Sequence, residues 1–473
     1  MSQLTKLDKV LEEIIHRWGI PGLGVGIVQA GEIAYSRGFG VQSLESGQPV
    51  TPDTIFCVAS IAKCFTASAV MQLVEKGKVD LDAPIVKFLP YFRLDDERYK
   101  QISIRQMLSH TSGMPDFTEN EYDELVAHPE VDEDSPERLV RSLSSRKMVA
   151  GPGERFAYSN IAYNVLGDLI AKLSGQTFEA YMKEQVLIPA GMPESTFFYP
   201  EVKRERLAVP HLRSPEMVVN PIYPYHRADA PASFLHSTVI EMCHWCITGL
   251  NQGIFQGRRI LTPASFEQMW TPVTEWGYPP FYEDVGLGWT LGHYEDFRTV
   301  SHGGMGFGWT DFLILLPDKK SAAVVLCNEE SSARSRIILA VVNAILGFEP
   351  QAGIVSWMVP ICKALQTGGV REAYKCYAEI KDSKVYSIEE DDLFNLTYQL
   401  MSVKKVDLTV EVLKLNLEAF PEHIDSLILL ADLHLQKGER IQAKEYVQKV
   451  LAIQPDNLAA KDLLERAQKE DIS

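Results

Sequence analysis

Strand-like patterns stand at both ends of one long stretch of this chain, and their placement restricts the fold more than any other feature. Leu23 to Val28 reads as a buried strand, and the turn Gln29-Ala-Gly31-Glu32 leads to a second around Ile33 to Ser36. Far downstream, Thr299 to His302, Asp311 to Leu316 and Ala322 to Cys327 have the same character, with Pro317-Asp-Lys-Lys320 as a hairpin turn between the last two. The intervening chain is mostly helical in pattern. Strands so far apart build one core only by sharing a sheet, so the expectation is an α+β unit whose ends meet in a single antiparallel sheet. An amphipathic helix carrying Leu4, Leu7, Leu11, Ile14 and Ile15, stopped by Gly19, precedes it. A helix from about Ser335 to Leu346 closes it.

At Gly347-Phe-Glu-Pro350 the texture changes, and from about residue 352 the pattern is helical with polar turns. Two domains are expected, 1–347 and 348–473. Pro421 and Pro455 lie 34 residues apart, and Leu427, Leu430, Ala431, Gly438, Ala443, Tyr446 and Leu451 between them resemble a tetratricopeptide repeat. The preceding unit keeps Leu396 and Leu417 but places Lys404 where the turn glycine belongs, and Gly369-Val-Arg-Glu-Ala373 reads as half of a further unit. Two readings stand, a partner-binding groove or a helical cap. The cap is preferred because about three units are needed for a stable stack.

A length of 473 residues agrees with two or three domains. The net charge of −17, with no basic stripe, argues against nucleic acid. Seven cysteines without regular spacing read as free thiols in a reducing compartment. Cys243-His-Trp-Cys246 stands alone in a helical pattern and reads as core packing rather than a zinc or redox site. The first residues carry charge and lack an apolar leader segment, and no run of 18 apolar residues occurs. A cytoplasmic protein without membrane contact is the expectation.

Three motifs carry chemistry: Ser60-Ile-Ala-Lys63, Tyr158-Ser-Asn160 and His302-Gly-Gly304. Ser-x-x-Lys recurs at Ser144-Ser-Arg-Lys147 and Ser402-Val-Lys-Lys405, but both lie in charged, solvent-facing patterns. Ser60 instead follows the extended Ile55-Phe-Cys-Val58 and opens an apolar helix running to Glu75. Its hydroxyl is thereby placed at a helix N-terminus, where an anion is favoured, with Lys63 on the same face. A serine hydroxyl needs a base. Lys63 serves only when neutral, and moving its pKa from about 10.4 to near 7 costs about 4–5 kcal/mol at roughly 1.36 kcal/mol per unit. Burial among residues such as Phe65 and Val70 acts in that direction. Near a cation, the Tyr158 phenol can shed or share a proton and then protonate the leaving group. Asn160 would present its amide to Lys63 or to substrate. His302, Gly303 and Gly304 open a strand along which a substrate backbone can lie closely. The N–H groups of Met305 and Ser60 are the candidate oxyanion hole. The aromatic run Trp276-Gly-Tyr-Pro-Pro-Phe-Tyr282 reads either as a pocket rim or as a self-anchored loop.

These motifs, with Val79-Asp-Leu-Asp-Ala-Pro84, Leu108-Ser-His-Thr-Ser-Gly113, Tyr158-Ser-Asn-Ile-Ala-Tyr163, Leu166-Gly167 and Gly286-Leu-Gly-Trp289, make residues 5–346 resemble the serine β-lactamase family in its class C-like branch. That branch includes D-alanyl-D-alanine carboxypeptidases, D-aminopeptidases and family VIII carboxylesterases (the CubicO group). The resemblance implies a β-lactamase/transpeptidase-like sandwich of antiparallel sheet and helical lobe, followed here by an all-α repeat-like domain. It implies Ser60 as nucleophile, Lys63 and Tyr158 in proton transfer, Asn160, His302, Gly303, Gly304 and Met305 at the substrate, and no metal or cofactor. Position 302 departs from the family, whose third motif usually begins with lysine. Histidine is mostly neutral at pH 7, which directs expectation away from β-lactams and towards carboxylic esters or small amides hydrolysed through an acyl-enzyme. A β-lactamase or D-amino-acid peptidase is the alternative within the class. Outside it stands a catalytically inert scaffold whose C-terminal helices bind a protein partner or a second copy of the chain.

Overall fold

Strand β1 (Gly22–Gln29) is buried over nearly its whole length, because both of its faces meet other elements. The computed structural model describes residues 3–331 and 333–468. In it β1 lies inside an eight-stranded sheet, between β2 (Glu32–Gly40) and the strand latest in sequence. The later strands are β3 (Thr274–Tyr278), β4 (Tyr282–Val285), β5 (Thr290–Tyr294), β6 (Phe297–Gly306), β7 (Trp309–Leu316) and β8 (Ser321–Cys327). The order is β2-β1-β8-β7-β6-β5-β4-β3, and every pairing is antiparallel. The two ends of the long stretch meet through β1 and β8, in register from Leu23 opposite Cys327 to Gln29 opposite Ser321. Strands β3, β4 and β5 carry no expectation in the sequence. β3 and β4 lie at the sheet's end, mostly half-exposed or exposed, so Glu275, Gly277, Glu283 and Asp284 interrupt any apolar alternation.

Five helices organise this unit: α1 (Gln3–Trp18), α2 (Ala62–Glu75), α3 (Asn160–Ser174), α4 (Val239–Leu250) and α5 (Arg334–Leu346). The α1 helix buries Leu7, Leu11, Ile14 and Trp18 and packs beside α5. On the other face, α4 lies so near β1 that a Cβ on Gly26 would fall 2.4 Å from Cys243 Sγ. The core that α4 joins takes alternate residues of β8 (Ala322, Val324, Leu326) and none from α1 or α5, so those two helices cover the opposite face. Cys243 and Cys246 are buried side chains of α4. The α2 helix is buried all round from Ala62 to Leu73, as a helix apolar on every side must be. Its polar side chains stay inside because each finds a partner: Thr66 donates to Pro231 O at 2.8 Å and Gln72 to Gln185 O at 2.8 Å.

The chain divides into two compact units, one running to His211 and from Val219 to Ala352, the other comprising Leu212–Val218 and the chain from Gly353 on. The second unit is built from α6 (Met358–Ile380), α7 (Glu390–Ser402), α8 (Val406–Ala419), α9 (Ile424–Gln436), α10 (Arg440–Ile453) and α11 (Leu458–Gln468). The α6 helix is broken at Gly369 (φ 67°), while Lys404 (φ 60°) joins α7 to α8 and Gly438 (φ 77°) joins α9 to α10. Lys404 thus adopts the left-handed turn at the position where glycine is missing. The segment Leu212–Val218 belongs to this unit through hydrogen bonds: Gln399 Oε1 accepts from Arg213 N at 2.7 Å, Gln366 donates to Pro215 O at 3.1 Å, and Lys405 Nζ donates to Ser214 O. Among the described residues, no helix is long and apolar enough to cross a membrane.

Candidate active site

Ser60 lies in a tight turn, Ala59–Ile61, from which α2 continues. Ala59 has φ 43°, a left-handed conformation that costs a non-glycine residue about 1 kcal/mol or more. The turn is pressed against β6. A Cβ on Gly304 would stand 2.6 Å from Val58 O and 3.3 Å from Ser60 N, so only glycine permits this approach. Gly304 therefore sits behind the serine turn.

Lys63 is fully buried one turn along α2. Its Nζ donates to Ser60 Oγ at 2.9 Å, Asn160 Oδ1 at 2.7 Å and Ala232 O at 2.8 Å. These three bonds occupy all the protons of an ammonium. Two of the partners only accept, whereas the serine hydroxyl can also donate. A neutral Lys63 must therefore keep its two N–H groups on Asn160 and Ala232 and turn its lone pair to Ser60. Burial pushes the Lys63 pKa down, and the carboxyl groups of Asp229 and Asp116 pull it part of the way back.

The Tyr158-Ser-Asn160 motif divides its work by residue. Ser159 caps α3, accepting from Ala162 N at 3.1 Å, and donates to Pro115 O at 2.8 Å. Asn160 is clasped by Asp116, whose Oδ1 accepts from the Asn160 backbone at 3.0 Å and whose Oδ2 accepts from the amide at 2.9 Å. That clasp turns Asn160 Oδ1 toward Lys63. Burial holds the Tyr158 phenol well above the usual range, and the neighbouring Ser60 side chain offsets only part of that. The Lys63 Nζ lies 5.0 Å from the Tyr158 ring centre. Desolvation thus works against loss of the phenolic proton, and the phenol is placed as a donor. His110 stacks on the ring at 4.1 Å, and its Nδ1 accepts from Ser159 N at 3.1 Å.

Ser60, Tyr158, Asn160, His302, Gly303 and Met305 line one cavity of about 490 Å³, together with Trp276, Tyr278, Tyr282 and Arg334. The aromatic run is thus a pocket wall. His302 is buried, and burial, reinforced by the Lys63 charge, pushes its pKa down to about 3. Its Nδ1 is 2.7 Å from Gly303 O, an atom that only accepts, so Nδ1 carries the proton. The other two Ser-x-x-Lys serines lie elsewhere, Ser144 in an exposed turn and Ser402 at the end of α7 donating to Tyr398 O at 3.0 Å.

Asp116, Asn164, Asp229 and Arg334 carry no expectation in the sequence. Asp229 is buried with its carboxyl pushed above the usual range by desolvation, and its Oδ1 accepts from Asn164 Nδ2 at 2.7 Å. Only proximity to Lys63 marks it.

With this geometry in place, comparison with known proteins assigns the class. Residues 7–347 match the family described as Beta-lactamase, and the chain belongs to that family, whose members are generally serine hydrolases. It is 24% identical over 334 residues to Protein flp of Staphylococcus aureus (strain MW2), a match covering 70% of this chain and 64% of that protein. The chain thus spans less than two thirds of the curated relative's length. Among solved structures, it is similar to the octameric penicillin-binding protein homologue from Pyrococcus abyssi, with TM-score 0.64, 27% identity, and coverage of 77% and 80% of the two chains. A class C beta lactamase from Rhodobacter sphaeroides shares the fold, with TM-score 0.58, 19% identity, and coverage of 72% and 98%.

Proposed function

We propose that this protein is a serine hydrolase that acts through an acyl-enzyme on carboxylic esters or small amides. The supporting observation is the Lys63 amine, 2.9 Å from Ser60 Oγ and otherwise facing acceptors only. Neutral Lys63 takes the Ser60 proton as Oγ bonds to the substrate carbonyl carbon. The carbonyl electron pair moves onto oxygen, against the N–H groups of Ser60 and Met305. As that pair returns, the bond to the alkoxide or amine breaks, and the departing group takes the Tyr158 proton. The Lys63 ammonium then reprotonates Tyr158, leaving Ser60 acylated and Lys63 neutral. Water attacks the acyl ester, passing one proton to Lys63, which returns it to Ser60 Oγ as the acid leaves. His302, Gly303 and Asn160 border the substrate. The setting is cytoplasmic, with unpaired thiols.

The test is labelling by an active-site fluorophosphonate, with intact mass and peptide mapping. A single adduct on Ser60, absent from Ser60→Ala, is the expected result. Labelling at Ser144 or Ser402, or at no residue, would sink the reading in favour of an inert scaffold.

A further inference from the structure

Just beyond Met305, β6 and β7 are joined by two residues, Phe307 and Gly308, between the paired Gly306 and Trp309. Both have left-handed backbone, φ 58° and 97°, the mark of a type I′ turn. Asparagine, aspartate or glycine ordinarily takes its first position, and a bulky residue there meets a steric penalty. Such a turn persists where its surroundings hold it. On the carbonyl side, Asn220 Nδ2 donates to Phe307 O at 3.2 Å. That amide is itself set, since Asn220 Oδ1 accepts from Ile222 N at 3.1 Å and Asn220 N donates to Pro210 O at 2.8 Å. On the N–H side stands Glu330, whose Oε1 would lie 3.9 Å from a Cβ on Gly306. Burial and the Glu329 charge push the Glu330 carboxyl up to about 7, while the N–H groups of Gly308 and Phe307 draw it down, so those donors face it. The segment carrying Glu330 is fixed in turn: Ser331 N donates to Thr310 Oγ1 at 2.9 Å, and Thr310 is the residue opposite Met305. A carboxyl and an amide thus converge on a turn two residues from the assigned oxyanion donor.

We propose that Glu330 and Asn220 are positioning residues for the oxyanion donor: they grip the Phe307-Gly308 turn from its N–H and carbonyl sides and so fix the direction of the Met305 N–H. Neither lines the cavity, so their influence passes through the turn. Donors held in advance of reaction cost no reorganisation when the charge develops on the carbonyl oxygen. This inference rests on the acyl-enzyme reading above, in which Met305 N–H meets that oxygen.

Kinetics on 4-nitrophenyl acetate, with phenylboronic acid as a tetrahedral adduct former on Ser60, test it in the full chain. Deleting an oxyanion donor outright costs about 10²–10³ in kcat, and a donor kept but loosely aimed should cost less. Glu330→Met should therefore lower kcat about 10- to 50-fold, leave KM within about 3-fold, and weaken phenylboronic acid in parallel. Glu330→Gln keeps an acceptor oxygen and should recover most of the loss, which a general loosening of the fold would not do. Asn220→Ala, at a partly exposed residue, should act in the same direction more weakly, and it decides the matter if Glu330→Met does not fold. Unchanged kcat in the folded variants, a rise in KM in place of the fall in kcat, or Glu330→Gln no better than Glu330→Met would each overturn the proposal. Absence of Ser60 phosphonylation in the unaltered protein would instead overturn the acyl-enzyme reading itself.

Discussion

In the helical unit, Lys404 and Gly438 each join helices that are neighbours in sequence, α7 to α8 and α9 to α10. In the sheet-containing unit, Lys63 reaches Asn160 across 97 positions and Ala232 across 169. The first arrangement is assembled from local contacts, each needing little chain closure. The second exists only after the whole core has formed, because three distant segments must converge on one buried amine. Strain is distributed accordingly. Among the non-glycine residues with left-handed backbone, Lys404 stands in a helix turn and Ala59 beside Ser60. In the first case the turn is served by the helices it joins. In the second, the cost is imposed by β6 pressing on the serine turn. Local architecture tolerates substitution residue by residue, whereas convergent architecture responds as a block.

The sharpest way to break this comparison is to test the block. Lys63→Ala and Tyr158→Phe should each lower kcat by about 10²-fold or more. The double mutant should fall far short of the product, because groups acting as a unit are not additive. Steady-state kinetics on a neutral ester reads both; additive losses would mean that the two residues act separately.

Removal of residues 348–473 is the next largest perturbation. Leu212–Val218 would lose its partners on Gln366, Gln399 and Lys405. The fragment should aggregate, or melt several degrees lower, while its soluble fraction still takes up phosphonate at Ser60. A fragment as stable as the full chain, by calorimetry, would favour a partner-binding role for the helices over a cap.

A smaller effect should appear in the pH profile. Because burial lowers the Lys63 pKa, the neutral amine is populated at lower pH than an ordinary lysine allows. The acidic limb of kcat/KM should therefore rise with pH and level off below about 10.4, the unperturbed lysine value. Asp229 acts in the opposite sense, favouring the ammonium. Asp229→Asn should move that limb to lower pH by about one pH unit, and a shift to higher pH would show that the carboxyl does not face the amine's charge.

The smallest effect separates Lys404 from Ala59. Lys404→Gly should stabilise the helical unit by about 0.5–1 kcal/mol with no change in ester hydrolysis. Ala59→Gly relieves similar strain but loosens the serine turn, so any stability gain should come with a lower kcat. Urea unfolding and turnover on the same samples compare them directly.

The motifs at Ser60, Tyr158 and His302, and the strand patterns at the two ends of the long stretch, were legible because each is local. A three-residue spacing on one helix is enough to put Lys63 under Ser60, and an apolar run between turns is enough to mark β1 or β8. The helix pairs of the second unit were legible for the same reason. Strands β3 and β4 at the sheet's end were not, because exposure removes the alternation that would mark them. Nor were Asp116, Asp229 and Arg334, which have no pattern around them. Their significance comes from standing beside Lys63 or the cavity, and pairwise distance is not written in sequence spacing. The protonation states were likewise decided in three dimensions. An ordinary histidine is mostly neutral at pH 7, but burial, reinforced by the Lys63 charge, depresses His302 to about 3. Burial likewise pushes the Tyr158 phenol further above its ordinary range. Sequence alone determined which chemical groups were present and the local frame that carries them. Tertiary structure decided which of them lost their water, and desolvation is the physical step that pushes the Lys63 pKa down.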